Sequence, residues 1–371
     1  MRKIQTHRGP GTRGHPVGAT TISDVARAAG VSTATVSRVL NNHPRVDPAL
    51  AATVMRTVKD LGYRPSRVAR SLRTRRNRVW ALIISDIRTG PFFADLVRGV
   101  EDVAYEAGYS LFLCNTDEDP RKEASYVALA VAENAGGVIL TPSGPETDLS
   151  MLASSATPVV LVDRTLPASA VDTVVVDNVS GGYQAVHHLV EGGYERIACV
   201  TGPTTTTTGS QRYAGYCKAL DDAGLNQGGD LVRVADFREA GGRLAMSDLL
   251  DRETRPDAVF VANLLMTVGA LQAIADAGLA IPGDIAVVGF DEMSWASLLR
   301  TPLTTVAQPA YDLGLESARL LLSRLEGYSG AARTVTLSPS LQVRESSAPR
   351  FSGNGSTARE GRLSEGARSK C

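Results

Sequence analysis

The sequence predicts a small all-α headpiece built around a helix-turn-helix, followed by a larger α/β body of two lobes. The first observation behind this prediction is a basic N-terminal fifth with short amphipathic helical segments separated by glycines. The second is a series of short apolar runs that alternate with helical segments, which is typical of parallel strands buried on both faces. With 371 residues, 43% of them hydrophobic, the chain has enough apolar material for both parts.

Charge is unevenly distributed along the chain, although the formal net charge is zero. Residues 1–78 hold sixteen Lys and Arg against three acidic residues, which leaves 23 basic and 36 acidic residues for the remainder. A basic module on an acidic body is typical of a polyanion-binding head, because only that module needs Lys and Arg for phosphate contacts. The charge by itself leaves open a solvated basic tail.

The basic part is predicted to fold as a helix-turn-helix with a third, supporting helix. The first helix begins after Thr21 as its N-cap and ends before Gly30, and Ser32 caps the second helix. A third helix begins at Asp47-Pro48 and stops at Gly62. Its apolar face is expected to close a three-helix core and comprises Leu50, Val54, Val58 and Leu61.

The second helix is predicted to expose a surface of short polar residues and one arginine, whose forked guanidinium fits guanine in the major groove of DNA. This surface comprises Thr33, Thr35, Ser37, Arg38 and Asn41. The alternative is a small solvated bundle with no nucleic-acid partner. The positive charge around the helices argues against that alternative.

Residues 21–41, TISDVARAAGVSTATVSRVLN, resemble the headpiece of the LacI/GalR (lactose-repressor) family of bacterial transcription regulators, and residues 61–65, LGYRP, resemble its end. The resemblance implies a repressor or activator that binds operator DNA through a headpiece at 20–65. It also implies base contacts in the major groove from Thr33, Ala34 and Arg38. The other headpiece residues expected to contact DNA are Thr21, Ser32, Thr35, Ser37, Asn41 and Tyr63.

Residues 66–76 are expected to form a hinge helix and linker. A helix of two turns is marginal in water, so we expect it to form when DNA is bound. By family resemblance, two such helices pair in the minor groove, one from each subunit. Leu72 would then wedge between base steps, and Arg67 and Arg70 would contact phosphates or the groove. A simple charged linker is the alternative.

Residues 77–347 are predicted to form a doubly wound α/β body, long enough for two lobes. Ligands of such folds lie at the carboxyl ends of the strands, where several polar residues occur here. The predicted strands are Val79–Ile87, Ser110–Asn115, Gly137–Thr141, Val159–Asp163, Val174–Asp177, Ile197–Gly202, Ala258–Asn263 and Ile285–Asp291.

The body also resembles the LacI/GalR family, for example over Val176–Gly182 and Ile281–Asp291, so that the resemblance runs from about Thr20 to Glu345. It implies an effector-binding and dimerisation domain similar to a periplasmic binding protein. Such a domain has two lobes and a small-molecule effector in the cleft between them. The chain is expected to cross between the lobes near Asp177, Thr305 and Ser338.

The resemblance places seven residues at the effector: Phe92, Phe93, Asp163, Arg164, Arg212, Asn263 and Asp291. Arg212 is expected to grip the effector by paired donors, and Asp291 to act as an acceptor. One of the two phenylalanines would form an apolar wall. For Asp163 and Asp291, capping of the following turn is the alternative role.

Carboxylates beside arginine and an amide suit a polyol, because each hydroxyl both donates and accepts a hydrogen bond. The resemblance therefore favours a sugar effector. A nucleobase is less favoured, since purine-binding relatives have an arginine at the position of Thr206.

Several classes of protein are not favoured by the sequence. No signal segment or membrane-spanning apolar run is seen, which predicts a cytoplasmic protein that has no membrane partner. The four cysteines are scattered, and no Ser-His-Asp or Cys-His arrangement is evident, so neither a metal, a cofactor nor an enzymatic activity is expected. The rival interpretation is a sugar-binding protein or an enzyme on the same α/β body, without a regulatory role on DNA.

A homodimer is expected, because one helix-turn-helix reads few base pairs and the family binds near-palindromic operators. The two ends of the chain, residues 1–19 and 348–371, are rich in Gly, Ser and Arg. Both are expected to be disordered tails, the first of them basic.

Overall fold

The structure is a computed structural model that describes residues 20–40, 46–63, 77–167, 169–225 and 229–350. The chain divides into two units between residues 76 and 77. Several predicted features lie outside the described residues: the tail 1–19, the hinge 66–76, nearly all of the tail 348–371, and the candidate DNA contacts Asn41, Arg67, Arg70 and Leu72.

The headpiece consists of three short helices, as the sequence predicts. They are α1 (Ile22–Ala28), α2 (Thr33–Leu40) and α3 (Pro48–Asp60). Thr21 and Asp24 form a capping box at the start of α1, and Asp47 caps α3. Gly30 and Gly62 have φ angles of 66° and 57°, the left-handed conformation that glycine adopts readily after a helix. Local sequence signals therefore set both ends of α1 and α3.

The headpiece core contains Val25, Ala26, Val36, Val39 and Val54. Of the four residues predicted on the inner face of α3, Val54 and Val58 pack in this core, and Ala51 joins them at the preceding turn. Leu50 is half-buried, and Leu61 is 39% exposed because it follows the last residue of α3. The prediction that Leu61 closes the core is wrong.

The body contains two six-stranded sheets, one in each lobe. The strands of the first lobe are β1 (Val79–Ile84), β2 (Ser110–Asn115), β3 (Gly137–Leu140), β4 (Val159–Val162), β5 (Asp172–Val176) and β11 (Thr334–Leu337). Those of the second lobe are β6 (Ile197–Thr201), β7 (Val232–Val234), β8 (Ala258–Val261), β9 (Ala286–Phe290), β10 (Thr304–Ala307) and β12 (Ser340–Gln342).

The two sheets have matching strand orders, β11-β5-β4-β3-β1-β2 and β12-β10-β9-β8-β6-β7. All neighbouring strands are parallel except β10 and β12. Each strand of one lobe therefore has a counterpart in the other, such as β4 and β9. The α/β fold class with two lobes is confirmed.

Helices cover both sheets. They are α4 (Pro91–Glu106), α5 (Pro120–Ala132), α6 (Ser150–Ser154), α7 (Asn178–Glu191), α8 (Thr207–Asp222), α9 (Glu239–Leu250), α10 (Leu264–Asp276) and α11 (Ala310–Leu325). None of the helices in the described ranges is long and apolar enough to cross a membrane.

The first sheet is buried on both faces, which is why its strands are continuous apolar runs. Leu82 and Ile84 of β1 pack in the cluster that includes α4 and α11, whereas Ala81 and Ile83 pack in the cluster that includes α5. Successive residues of a strand point to opposite faces, so both sets must be apolar.

The chain crosses between the lobes three times, close to the positions expected. It leaves the first lobe after Asp177, returns between β10 and α11, and crosses again between β11 and β12. The cleft between the lobes therefore faces the carboxyl ends of both sets of parallel strands.

Four strands were not predicted from the sequence: β7, β10, β11 and β12. Each has only three or four residues, and each contains Thr, Ser or Arg instead of a continuous apolar run. Two of them, β7 and β12, lie at the edges of the second sheet, where one side of the strand is unpaired. Their pairing is set by tertiary contacts that a local apolar pattern does not report.

Candidate functional site

A small cavity lies between the two lobes and is lined by residues of both. It brings together all seven residues that the sequence analysis placed in the cleft, Phe92, Phe93, Asp163, Arg164, Arg212, Asn263 and Asp291. The other residues that line it are Ser85, Asp86, Thr89, Glu118, Thr208, Phe237 and Gln308.

Asp163 follows β4 and presents a buried carboxylate without a hydrogen-bond partner. Its φ angle is 70°, its backbone N–H donates to the Val174 carbonyl at 2.9 Å, and the residue is 7% exposed. Within the described part of the chain no group donates to its carboxylate, and Arg164 Nε lies 3.8 Å from Oδ2. Burial raises the pKa of Asp163 to about 6, against the opposing effect of Arg164 and Arg212. The cavity therefore contains an acceptor that receives no hydrogen bond from the residues the structure describes.

Asp291 follows β9 and is bonded within the protein. Its φ angle is 79°, and its backbone N–H donates to the Val306 carbonyl at 2.9 Å. The backbone N–H of Leu264 donates to Oδ2 at 3.1 Å, and Gln308 Nε2 donates to Oδ1. Asp291 thus accepts a hydrogen bond from the first residue of α10. This role is close to the capping of a following turn, which the sequence analysis gave as the alternative to effector binding.

Arg212 projects from α8 and is held by two protein acceptors. Its Nε donates to Asn178 Oδ1 at 2.8 Å, and its Nη1 donates to the Ala262 carbonyl at 2.7 Å. The guanidinium carbon lies 3.7 Å from the centre of the Phe290 ring. Burial lowers the pKa of Arg212, while Asp291 and Asp163 oppose that shift. Nη2 has no bonded acceptor among the described residues, so one edge of the guanidinium is available in the cavity.

Arg164 is fixed by a buried ion pair with Glu118. Its Nη1 and Nη2 donate to the two carboxylate oxygens at 2.8 and 2.6 Å, and Nη1 also donates to the Pro142 carbonyl at 3.0 Å. Burial disfavours the charged form, but Glu118 outweighs this effect, and the pKa of Arg164 is raised. Its Nε is buried and finds no acceptor in the ranges that the structure describes.

Aromatic rings form the apolar walls of the cavity. Phe92 and Phe93 pack edge to face, with ring centres 4.9 Å apart, at the start of α4. On the other lobe Phe237 has a φ of 60° and packs on Gly202, where a Cβ atom would lie 2.1 Å from the ring. Only glycine at 202 leaves room for this ring.

Asn263 and Gln308 complete the polar lining. Asn263 caps α10, since its Oδ1 accepts the Met266 N–H at 2.8 Å, and its Nδ2 donates to the Phe237 carbonyl at 3.4 Å. Gln308 Oε1 is buried without a donor among the residues described. Together with Asp163 and Arg164 Nε, it adds to the polar atoms that the protein leaves unsatisfied.

Three cavity residues had no clear signal in the local sequence. Glu118 and Phe237 both occupy turns with a left-handed φ, at 57° and 60°, which the sequence pattern does not predict for a non-glycine residue. Gln308 belongs to the segment Gln308-Pro309, which resembles the LacI/GalR family. This resemblance was the only feature of the sequence that could have indicated a role for Gln308 in the cleft.

In the headpiece, α2 exposes Thr33, Ala34 and Arg38. The hydroxyl of Ser32 accepts the Thr35 N–H at 3.1 Å and lies 2.9 Å from the Thr35 hydroxyl, so these two side chains form the cap of the helix. The three residues expected to contact base edges therefore lie on the solvent-exposed side of α2. The N-terminus of this helix is capped by Ser32.

Three other candidate DNA contacts have different surroundings. Ser37 is 8% exposed, so the expectation of an exposed side chain there is wrong. It lies one residue, or about 100° of helix, from the buried Val36, on the flank that turns toward the core. The Thr21 hydroxyl is bonded to Asp24, and Tyr63 is half-buried against the headpiece core.

Two family descriptions match the chain. "Bacterial regulatory proteins, lacI family" matches residues 21–66, and "Periplasmic binding proteins and sugar binding domain of LacI family" matches residues 78–341. The boundary between the two matches lies at the boundary between the two units of the structure.

Individual proteins match nearly the whole chain. The ribose operon repressor of Escherichia coli is 37% identical over 328 residues, which cover 88% of this chain and 99% of the relative. A solved complex of the transcriptional regulator CelR with cellobiose is 35% identical, with a TM-score of 0.68 over 88% of this chain and 99% of the other. The Lac repressor dimer bound to operator and the anti-inducer ONPF is 27% identical, with a TM-score of 0.79 over 89% and 99%.

Proposed function

Because the chain belongs to the LacI family of bacterial regulatory proteins, which are DNA-binding transcriptional regulators, we propose that its effector is a neutral sugar bound between the two lobes. The observation that carries the proposal is the buried carboxylate of Asp163, which accepts no hydrogen bond from the described residues and lies in a cavity with further polar atoms of this kind. Family membership disfavours the rival interpretations, an enzyme or a binding protein without a role on DNA, since the headpiece match covers residues 21–66.

A sugar hydroxyl matches the unsatisfied groups of the cavity. The acceptors of Asp163 and Gln308 Oε1 and the donors Arg164 Nε and Arg212 Nη2 have no hydrogen-bond partner among the described residues, and all four residues line the cavity. A hydroxyl donates one hydrogen bond and accepts others, so a ring with several hydroxyls pairs with both kinds of group. The apolar face of the same ring would rest on Phe92 or Phe93. The names of two relatives, which refer to ribose and cellobiose, agree with this class.

Charge favours a neutral sugar over a phosphorylated one. The guanidinium of Arg164 is already paired with Glu118, and Arg212 is subject to the opposite charges of Asp291 and Asp163. A phosphate in this cavity would therefore approach the ionised Asp163, and Arg212, already subject to both aspartates, is the cation that would have to compensate for the repulsion.

A nucleobase is the weaker alternative. Thr206, which stands where purine-binding relatives have an arginine, is occupied within the protein. Its hydroxyl accepts the Gly209 N–H at 3.2 Å and donates to the Pro203 carbonyl at 2.8 Å, which caps α8. This position therefore offers no cation or free donor for a purine.

On the DNA side, we propose that the protein acts as a cytoplasmic homodimer whose α2 helices enter the major groove, with Thr33, Ala34 and Arg38 at base edges. Replacement of Arg38 by Ala should lower the affinity for a selected operator by about 1–3 kcal/mol and relax specificity at one position. Arg27, 80% exposed in its side chain, is the matched control, because its loss should weaken binding to all sequences alike. Fluorescence anisotropy on operator and scrambled duplexes measures both effects.

Thermal-shift screening tests the effector class, because a ligand that binds only the native state raises the melting temperature. The panel contains neutral sugars, sugar phosphates and nucleobases. We expect a shift with a neutral sugar that disappears in Asp163→Asn and persists in Arg344→Ala, since Arg344 does not line the cavity. A shift with nucleobases alone, or equal shifts with a sugar and its phosphate, would contradict the proposal.

A further inference from the structure

An ion pair between the lobes lies at the edge of the cavity. Arg238, the residue before α9 in the second lobe, donates from Nη2 to the backbone carbonyl of Asp117 at 2.9 Å, and its Nη1 lies 3.4 Å from Asp117 Oδ1. Asp117 belongs to the turn that follows β2 in the first lobe. The residues next to these two in sequence, Phe237 and Glu118, line the cavity itself. The pair therefore bridges the mouth of the cleft.

The two turns that meet there are held in an uncommon backbone conformation. Asp117 and Glu118 both have φ angles of 57°, and Phe237 has a φ of 60°. This conformation lets each turn direct one residue into the cavity and its neighbour across the mouth. Glu118 binds Arg164 inside the cleft, while Asp117 binds Arg238 at its edge.

Each half of the contact is anchored within its own lobe. Arg88 Nη2 lies 2.8 Å from Asp117 Oδ1, and Lys122 Nζ lies 3.6 Å from Oδ2. In the other lobe, the backbone N–H of Arg238 donates to Asp236 Oδ1 at 3.0 Å. The Asp117 carboxylate and the Arg238 backbone are therefore held by their own lobes, which reduces the order that must be created when the contact forms.

The cleft is closed at a second place by a contact between lobes. The backbone N–H of Thr165 donates to the Thr207 hydroxyl at 3.2 Å. A cation–π contact also joins the lobes, with the guanidinium carbon of Arg164 5.5 Å from the centre of the Phe237 ring. A ligand that extends from the cavity past Phe237 and Glu118 must displace the Asp117–Arg238 pair, whose side chains are 37% and 33% exposed.

We propose that Asp117 and Arg238 form a latch that limits the ligand of this cleft to a single sugar ring. The proposal rests on the sugar class argued above. A second ring linked to the first would occupy the mouth where Arg238 crosses to Asp117. The latch residues thus determine specificity by size and do not contact the first ring.

Isothermal titration with D-glucose and with cellobiose, which repeats the same ring twice, tests the size limit. In the unmodified protein we expect glucose to bind more tightly than cellobiose. Arg238→Ala should raise the affinity ratio of cellobiose to glucose at least tenfold. Arg243→Ala is the matched control, because Arg243 also pairs with an aspartate, Asp276, but within one lobe. An unchanged ratio in Arg238→Ala, or tighter binding of cellobiose by the unmodified protein, would overturn the size limit.

A measurement without sugar tests the latch independently. Nitroxide labels on Ala124→Cys in α5 and Ala275→Cys in α10 report the distance between the lobes, with Cys217 and Cys371 replaced by serine. We expect a longer and broader distance distribution in Arg238→Ala than in Arg243→Ala. The same distribution in both would overturn the latch. If neither sugar binds any variant, the size limit fails for this pair of sugars, while the thermal-shift panel decides the sugar class and the distances decide whether the two residues hold the lobes closed.

Discussion

The two lobes place an aspartate at the same point of the same fold and surround it differently. Asp163 follows β4 and Asp291 follows β9, and these strands occupy matching positions in the two sheets. The φ angles are 70° and 79°, and each backbone N–H donates to the carbonyl of a neighbouring strand at 2.9 Å. The backbone conformation is therefore equivalent at the two positions, and both residues line the cavity in the cleft.

The side-chain partners differ. Asp291 accepts from the Leu264 N–H and from Gln308, whereas Asp163 has no donor within the described residues. The residues that follow also differ in charge: Arg164 pairs with Glu118, and Glu292 pairs with Arg344. One lobe thus uses its aspartate to secure a helix, whereas the aspartate of the other lobe accepts no hydrogen bond from the described residues. Equivalent positions in two similar lobes do not imply equivalent roles.

Breaking the two ion pairs should give the largest difference between the lobes. Arg164→Ala removes the partner of Glu118 in a pair whose side chains are 6% and 18% exposed, and it should lower the free energy of unfolding by about 3–5 kcal/mol. Arg344→Ala breaks a pair that is 21% and 31% exposed, and it should cost about 1 kcal/mol. Urea denaturation of the sugar-free protein measures both. Equal losses would show that the two pairs are energetically alike.

Titration of Asp163 should produce the next largest effect. Burial raises its pKa in the folded protein to about 6, above the value of 3.8 that applies when the chain is unfolded. The folded state then binds the proton more tightly, so this contribution to stability is complete below about pH 4 and is lost as the pH rises through 6. Relative to the unmodified protein, Asp163→Asn should gain on the order of 3 kcal/mol between pH 4 and pH 7. Thermal unfolding across this range measures the gain, and a constant difference between the two proteins would contradict it.

Removing each aspartate in turn separates the structural role from the ligand role. Asp291→Ala leaves the Leu264 N–H and Gln308 Nε2 without their acceptor and should lower the free energy of unfolding by about 1–3 kcal/mol. Asp163→Ala removes no hydrogen bond formed within the described residues, so at pH 7 it should not destabilise the sugar-free protein. Both variants are compared by urea denaturation. A larger loss in Asp163→Ala would reverse the assignment of roles.

The sequence predicted the parts of this molecule that are set locally or by continuous burial. The caps at Thr21 and Asp47 depend on residues two or three positions away, and the helices begin where these residues indicate. Strands such as β1 and β3 are buried on both faces, and their apolar runs show this directly. The edge strand β7 contains Arg233 and only three residues, so no such run identifies it.

The candidate site was predictable where a residue follows a buried strand. Asp163 and Asp291 are both of this kind, and all seven cleft candidates line one cavity. Glu118 and Phe237 were missed because their position depends on left-handed turns and on long-range partners, Arg164 and the space above Gly202. Whether a buried carboxylate is satisfied also depends on distant donors. The sequence could therefore name both aspartates but could not tell their roles apart.

Asn263 gives the smallest and most selective test of this difference, because one side chain has both a structural and a ligand-facing group. Its Oδ1 caps α10, while its Nδ2 makes a long contact of 3.4 Å with the Phe237 carbonyl at the cavity. Asn263→Ala should lose the cap and about 1 kcal/mol of stability. Asn263→Asp keeps the capping oxygen and loses the amide donor, but it buries a carboxylate that faces the Phe237 carbonyl, so its stability should fall as the pH rises.

The two variants should nevertheless both bind sugar more weakly, since each lacks the amide donor of Asn263 at the cavity. Melting temperatures without sugar and titrations with the sugar identified by screening separate the two quantities. If Asn263→Asp binds sugar as well as the unmodified protein, then Asn263 serves only as a cap. In that case the second lobe would use Asn263, like Asp291, to secure α10, and the first lobe would supply more of the recognition through Asp163.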